Sequence, residues 1–343
     1  MPSSIKVAIV GLGYWGPNLL RNFFAASRCT VKYGCDLSQK NLDKMQRNFP
    51  TVTFTSSYDE VLNDPEVQLI AIATPTSAHF PLAKQALLKG KHVLIEKPVT
   101  PTSKEADELI AIARKNNLLI FVDHTFIYSP AVRKIAEIVK SGDLGELLYI
   151  ESTRINLGLI QQDVNVLWDL AIHDLSIIST FVDMGTVTQV YAQGKNYHTK
   201  HPEIAHLNLT FASGLQAYIH VSWLSPVKLR QTIVGGSKKM ILYDDTQLSE
   251  KVKIYDKGVN FEKLAVTGNT NPFFPVYRSG DVLIPALQNK EELGIEAEHI
   301  LRCIEGTEKP LMAMETPRHL VRILECADES LRTGRSVDLS PAA

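Results

Sequence analysis

A chain of 343 residues is longer than one hydrophobic core usually serves, so two domains are expected. Its 36 basic and 37 acidic residues cancel to a formal net charge of -1, which leaves no basic excess for binding nucleic acid. The 45% hydrophobic content supplies a core that needs no disulfides, and Cys29, Cys35, Cys303 and Cys326 show no C-x-x-C spacing, so they read as structural thiols in a reducing compartment. No apolar run reaches the roughly 18 residues of a membrane span. Met1 to Lys6 lead straight into a strand without the regions of a signal peptide, and a cytoplasmic location is expected.

The first third alternates short apolar runs with helical patterns, the form of a parallel sheet built from βαβ units. Strands are expected at Lys6–Val10, Thr30–Asp36, Leu69–Thr74, His92–Glu96 and Leu118–Val122. Helices are expected near Pro17–Ala26, Ser38–Phe49, His79–Gly90 and Ser103–Asn116. After Asp123 the rhythm changes. A helix at Ala131–Ser141 leads to alternating strands at Leu147–Asn156, Val187–Tyr197, Ala205–Phe211, Gly214–Trp223, Arg230–Val234 and Lys239–Tyr243, with a helix near Leu170–Met184. Alternation implies an antiparallel sheet covered on one face and open on the other. Thr267–Leu287 reads as a long loop, and Glu292–Glu305 and Pro317–Arg332 as helices. The expected division is an N-terminal doubly wound α/β domain, residues 1–123, and an α+β domain with a large, mostly antiparallel sheet, residues 124–343.

Gly11-Leu12-Gly13-Tyr14-Trp15-Gly16 follows the first strand and opens the first helix, the setting in which G-x-G-x-x-G binds a dinucleotide. Gly11 makes the tight turn, Gly13 admits the pyrophosphate, and Gly16 lets helix and strand pack closely. The helix N-terminus offers unpaired N–H groups and partial positive charge to the phosphates. Asp36 lies twenty residues beyond Gly16, at the end of the second strand. A carboxylate there accepts from both ribose hydroxyls. It repels a 2′-phosphate by roughly 4 kcal/mol at about 4 Å and an effective dielectric of 20. With no arginine in Leu37-Ser38-Gln39, NAD is favoured over NADP, Lys40 being the residue that speaks against it.

Ligands in such folds sit at the carboxyl ends of strands. Those ends carry Thr74-Pro75-Thr76, Glu96-Lys97-Pro98 and Asp123-His124-Thr125. Lys97 can bind ribose hydroxyls and polarise a substrate oxygen; the plainer reading is a solvated surface lysine. Asp169 and His173, four apart in Trp168-Asp169-Leu170-Ala171-Ile172-His173, share a helical face. Their plainer reading is an N-cap and a core histidine. Beside Lys97 and a nucleotide fold they become a base and its neighbour, since alcohol oxidation needs a base for the hydroxyl proton. The cysteine–histidine arrangement of a zinc dehydrogenase is absent, and no metal is expected.

Together these residues resemble the glucose–fructose oxidoreductase, inositol dehydrogenase and MocA (Gfo/Idh/MocA) family. The resemblance runs through Gly11 to Gly16, Ile72-Ala73-Thr74-Pro75, Glu96-Lys97-Pro98, and Asp169 with His173. It implies a Rossmann domain followed by a large open sheet through which dimers or tetramers form. It implies NAD as cofactor, Lys97 and His173 as catalytic residues, Asp169 as a substrate ligand, and a Lys97–Pro98 bond that can be cis. The expected cofactor-binding set is Gly11, Gly13, Tyr14, Trp15, Gly16, Asp36, Thr74, Pro75, His79, Glu96 and Lys97.

His124 to Pro130, Asn156-Leu157-Gly158, Asp163 to Asp169 and Ser222-Trp223-Leu224 resemble the branch linked to surface-polysaccharide and sugar-nucleotide metabolism. That branch implies a nucleotide-linked sugar handled at a ring carbon, with His124, Arg154, Asn156, Asn165 and Asp169 as substrate contacts. Lys228 and Arg230 are placed to meet a diphosphate or to lie on a solvated strand edge. A free-sugar or inositol dehydrogenase, a non-turning NAD-binding regulator and an NAD-dependent glycosidase are the competing readings.

Overall fold

The computed structural model describes residues 4–158, 160–161, 164–260 and 276–339. It divides into two compact units, Met1–Ser129 with Asn289–Glu325, and Pro130–Gln288 with Cys326–Ala343. This division differs in two ways from the single boundary expected at Asp123–His124. The first unit runs on to Ser129, and it takes back a segment near the C-terminus.

In the first unit six parallel strands lie in the order β3-β2-β1-β4-β5-β6. They are β1 (Ile5–Val10), β2 (Cys29–Cys35), β3 (Thr53–Thr55), β4 (Val67–Ile72), β5 (His92–Glu96) and β6 (Ile120–Asp123). The near-continuous apolar runs of β1 and β4 are what two covered sheet faces demand, and their side chains are almost wholly buried. Between the strands run α1 (Gly16–Ala25), α2 (Gln39–Asn48), α3 (Tyr58–Asn63), α4 (Thr76–Leu88) and α5 (Ser103–Lys115). Thr102 and Glu105 close a capping box on α5. Gly90, at φ 74°, ends the turn after α4 as expected. Strand β3 and helix α3 were not expected: three and six residues are too short to show a period.

Near the C-terminus α8 (Glu292–Ile304) sets Leu293, Ala297, Ile300 and Leu301 into the core formed by Ile5, Val7, Ile9, Leu19, Leu20 and Phe23. That apolar stripe is the reason the first unit reclaims the segment. Helix α9 (Glu315–Thr333) is divided between the units after Glu325.

The second unit opens with α6 (Pro130–Ser141) and carries a nine-stranded sheet. Its main strands are β7 (Leu147–Leu157), β8 (Val187–Lys195), β9 (Ile204–Phe211), β10 (Gln216–Ser222), β11 (Leu224–Gly236), β12 (Met240–Asp244) and β13 (Val252–Tyr255). All pairings are antiparallel except β7 with β10. Alternation is plain on β9, where Ala205, Leu207, Leu209 and Phe211 are buried and His206 is exposed. On the open face His206 stacks on His220 of β10, ring centroids 4.3 Å apart. The helix expected at Leu170–Met184 is shorter: a π-helical turn, Leu167–Ala171, passes into α7 (Ile172–Ile178). Residues 261–275 of the expected long loop lie outside the described residues. The rest of that stretch includes the short strands Val276–Arg278 and Val282–Leu283. Among the described residues no helix is long and apolar enough to cross a membrane.

Candidate active site

The glycines divide their labour in a way that can be measured. A Cβ on Gly11, which sits at φ +91°, would lie 2.5 Å from the Ala73 carbonyl oxygen; on Gly16 it would lie 1.8 Å from the Gly11 oxygen. On Gly13 it would meet nothing within 4 Å. Two glycines are thus required by the protein's own packing, while the middle one borders open space, as a pyrophosphate cradle needs. No acidic residue stands in the first turn of α1 and no side chain caps it, so the positive end of the helix dipole is left uncompensated there. Asp36 is fixed at both oxygens, by Leu12 N–H (2.6 Å) and Ser38 N–H (2.7 Å). Thr74 Oγ1 is buried with no hydrogen-bond partner among the described residues. Tyr14 is 85% exposed, and Pro75 is exposed. These features fit a dinucleotide.

At the next two strand ends the residues crowd. The Lys97–Pro98 bond is cis. Glu96 accepts from Lys97 N–H (2.8 Å), and Asp123 accepts from Trp15 Nε1 (2.5 Å) and Thr125 Oγ1 (2.7 Å). Trp15 therefore spends its indole N–H inside the protein. Burial and the neighbouring Asp123 hold the Glu96 carboxyl well above the usual carboxylate range.

Two expected ligand contacts are corrected here. His79 is 1% exposed, with both ring nitrogens against backbone carbonyls of Pro98 and Thr74 (2.9 Å each). It ties two loops together and has no nitrogen left for a cofactor. His124 is also 1% exposed. Burial first, then the charge of Lys97, push its pKa down to about 3, so it stays neutral and sealed from substrate.

The remaining expected residues lie in the second unit. Asn165 caps the helical segment, its Oδ1 accepting from Leu167 N–H (2.9 Å) while its amide donates to Asp328 (2.6 Å). This corrects its expected role as a substrate contact and also removes the N-cap reading of Asp169. The Asp169 carboxylate instead accepts from Trp223 Nε1 (2.9 Å), an indole that is 1% exposed. His173 is half-buried, one turn on, and Asn156 is half-buried beside Gly158. Arg154 is corrected as well. It is 3% exposed and bound through Nε and Nη2 to Asp174 (2.8 and 3.2 Å), the residue after His173. Ser152 also donates to Asp174 (2.7 Å), so β7 grips the start of α7. Arg230, read as a diphosphate contact or a strand edge, pairs with Asp245 (3.3 Å).

Asp123 and Trp223 stood within named segments but were given no role, and Glu296 was not named. For Glu296 a signal existed: it is a carboxylate on the apolar stripe of a helix, three residues after Leu293 and four before Ile300.

Residues 5–124 match the model of the oxidoreductase family with an NAD-binding Rossmann fold, and residues 132–242 match the GFO/IDH/MocA C-terminal domain. The chain belongs to the Gfo/Idh/MocA family. It is an oxidoreductase with an NAD-binding Rossmann domain. The oxidoreductase YrbE of Bacillus subtilis is 27% identical over 256 residues, 71% of this chain and 72% of YrbE. The UDP-N-acetylglucosamine 3-dehydrogenase of Acidithiobacillus ferrooxidans is 26% identical over 309 residues, 88% of each chain. A crystal structure of GenD2 from gentamicin A biosynthesis, in complex with NAD, superposes with a TM-score of 0.82 at 20% identity, covering 99% of this chain and 97% of GenD2. At that identity the likeness speaks for the Gfo/Idh/MocA fold alone.

Proposed function

We propose that this family member moves a hydride between NAD and a ring carbinol of a nucleotide-linked sugar, with Lys97 and His173 as catalytic residues and Asp169 as a substrate ligand. The observation that carries the reading is the disposition of Asp169. Asn165 supplies the helix cap, so the Asp169 carboxylate is held by Trp223 on the same helical turn as His173. A held carboxylate four residues before a histidine, the side chain type best suited to acid–base work, is the equipment for binding one sugar hydroxyl and deprotonating another.

Bound NAD supplies the hydride acceptor for oxidation and the donor for reduction. The α1 N-terminus with Gly13, and Asp36, Thr74 and Lys97, would hold it. His173 takes the carbinol proton in oxidation and returns it in reduction. The Lys97 ammonium stabilises the negative charge that develops on the same oxygen. Asp169 orients the ring by accepting from a neighbouring hydroxyl. The substrate class leans on the likeness to UDP-N-acetylglucosamine 3-dehydrogenase along 88% of both chains. The open face of the sheet is the surface we expect to join subunits.

The test is turnover with NAD across UDP-, dTDP- and GDP-sugars, free sugars and inositols. NADH absorbance is read alongside label exchange between cofactor and substrate. Activity confined to nucleotide-linked sugars supports the reading; activity confined to free sugars or inositols replaces it with a simple polyol dehydrogenase. Lys97→Ala and His173→Ala should each lower kcat by about 10²–10⁴-fold, the worth of a positioned acid or base, while NAD still binds. Near-normal turnover in either variant would overturn the mechanism.

A further inference from the structure

Helix α8 brings one carboxyl group into the interior of the first unit. Glu296 is 1% exposed, and neither oxygen meets an N–H or O–H donor among the described residues. It faces Asp123, with Glu96 close by. Glu96 and Asp123 stand in register at the ends of the adjacent parallel strands β5 and β6. The donors already assigned there go elsewhere: Trp15 Nε1 and Thr125 Oγ1 to Asp123, and Lys97 N–H to Glu96. Further ionisable neighbours are the Lys97 side chain and the His124 ring, which is buried with no hydrogen-bond partner at either nitrogen among the described residues. Among the described residues no three acidic or imidazole groups are arranged to hold a metal ion.

Three neighbouring carboxylates cannot all be ionised in such a place. Each pair of unit charges at about 4 Å repels by roughly 4 kcal/mol at an effective dielectric of 20. Two shared protons remove that repulsion and turn two of the groups into donors. Burial and Asp123 raise both Glu96 and Glu296 well above the usual carboxylate range, so these are the two that keep protons.

We propose that Glu96, Asp123 and Glu296 form one proton-sharing unit with a single negative charge centred on Asp123, and that Glu296 is a positioning residue for Lys97. Glu96 and Glu296 donate to Asp123, and the charge they stabilise serves as the counter-ion of the Lys97 ammonium. Without the Glu296 donor, Asp123 becomes the more basic group and captures a proton itself. The negative charge that the unit presents to Lys97 is then lost, and the lysine holds its proton less tightly. This inference rests on the role proposed for Lys97, and its spectroscopic arm does not.

The spectroscopic arm is infrared difference spectroscopy of the full-length protein at pH 7, with and without Glu296→Gln. The carbonyl stretch of a protonated carboxyl should be present in the parent protein and lose about half its intensity in the variant. An unchanged band would mean that Glu296 is ionised and would overturn the proposal. The kinetic arm is the alkaline limb of kcat/KM. Glu296→Leu and Asp123→Asn should move it down by about one pH unit, a tenfold change in the proton affinity of Lys97. Glu296→Gln, which restores the donor, should return it towards the parent position. A limb displaced equally by Gln and Leu would show that charge rather than donation matters, and would also overturn the proposal. If Lys97→Ala were active, the proposed chemistry would fall while the infrared result still stood or failed by itself.

Discussion

Gly13 and Gly16 lie three residues apart in one motif and answer to different constraints. An alanine methyl at Gly16 would overlap the Gly11 carbonyl, where backbone blocks any retreat. Overpacking of that kind costs about 1–3 kcal/mol, or more where the backbone cannot shift. At Gly13 the same methyl meets nothing in the protein. Gly16→Ala should therefore lower both the thermal midpoint and NAD affinity. Gly13→Ala should leave the midpoint of the ligand-free protein within a degree or two, as for an unstrained surface change, and weaken NAD binding by at least about tenfold. Calorimetry with and without NAD separates the two. A destabilised Gly13→Ala protein would mean that the open space is not a ligand cradle.

Other residues show where reading the chain stopped. Asp36 could be singled out because position alone marks it, twenty residues after Gly16 at a strand end. His79, His124 and Asn165 were not. Each is a ligand-type residue at a strand end or loop, and only its partners reveal that its capacity is spent inside the protein or sealed from water.

At the scale of elements, long periodic segments were readable and short or interrupted ones were not. Helix α5 carries a full apolar stripe and its own cap, so local pattern fixes it. The segment around His173 is broken by a π-helical turn, which shifts the period and hides where the helix starts. What holds it is non-local: Arg154 of β7 on Asp174, with Ser152 and Thr232 closing the network. Breaking a buried pair leaves an uncompensated charge and costs about 3–5 kcal/mol, whereas replacing both partners by apolar groups can be nearly neutral. Arg154→Met should lose stability in that range in urea unfolding, and Arg154→Met combined with Asp174→Leu should recover most of it. A substrate contact would behave otherwise, with stability kept and KM raised. That result would restore the role first expected for Arg154.

For the whole molecule, the order of segments along the chain is not the order of folding units. The first 129 residues contain all six strands of the Rossmann sheet, yet Leu293, Ala297, Ile300 and Leu301 of α8 complete the core beneath α1. Fully burying one side chain of the leucine or isoleucine class is worth about 1.5–3 kcal/mol. Losing Leu293, Ile300 and Leu301 together removes several kcal/mol, a large share of the 5–15 kcal/mol that typically separates folded from unfolded domains. A chain cut after Ser129 should therefore be poorly folded and should not bind NAD, although it spans the entire family match for the Rossmann fold. Joining residues 289–325 to Ser129 through a flexible linker should restore a cooperative unfolding transition and NAD binding. Restoration by α8 carrying Ile300→Asp as well would show that the helix contributes tethering rather than core. A well-folded, NAD-binding fragment 1–129 would show that the helix is dispensable, and that the boundary expected near residue 123 describes the folding unit after all.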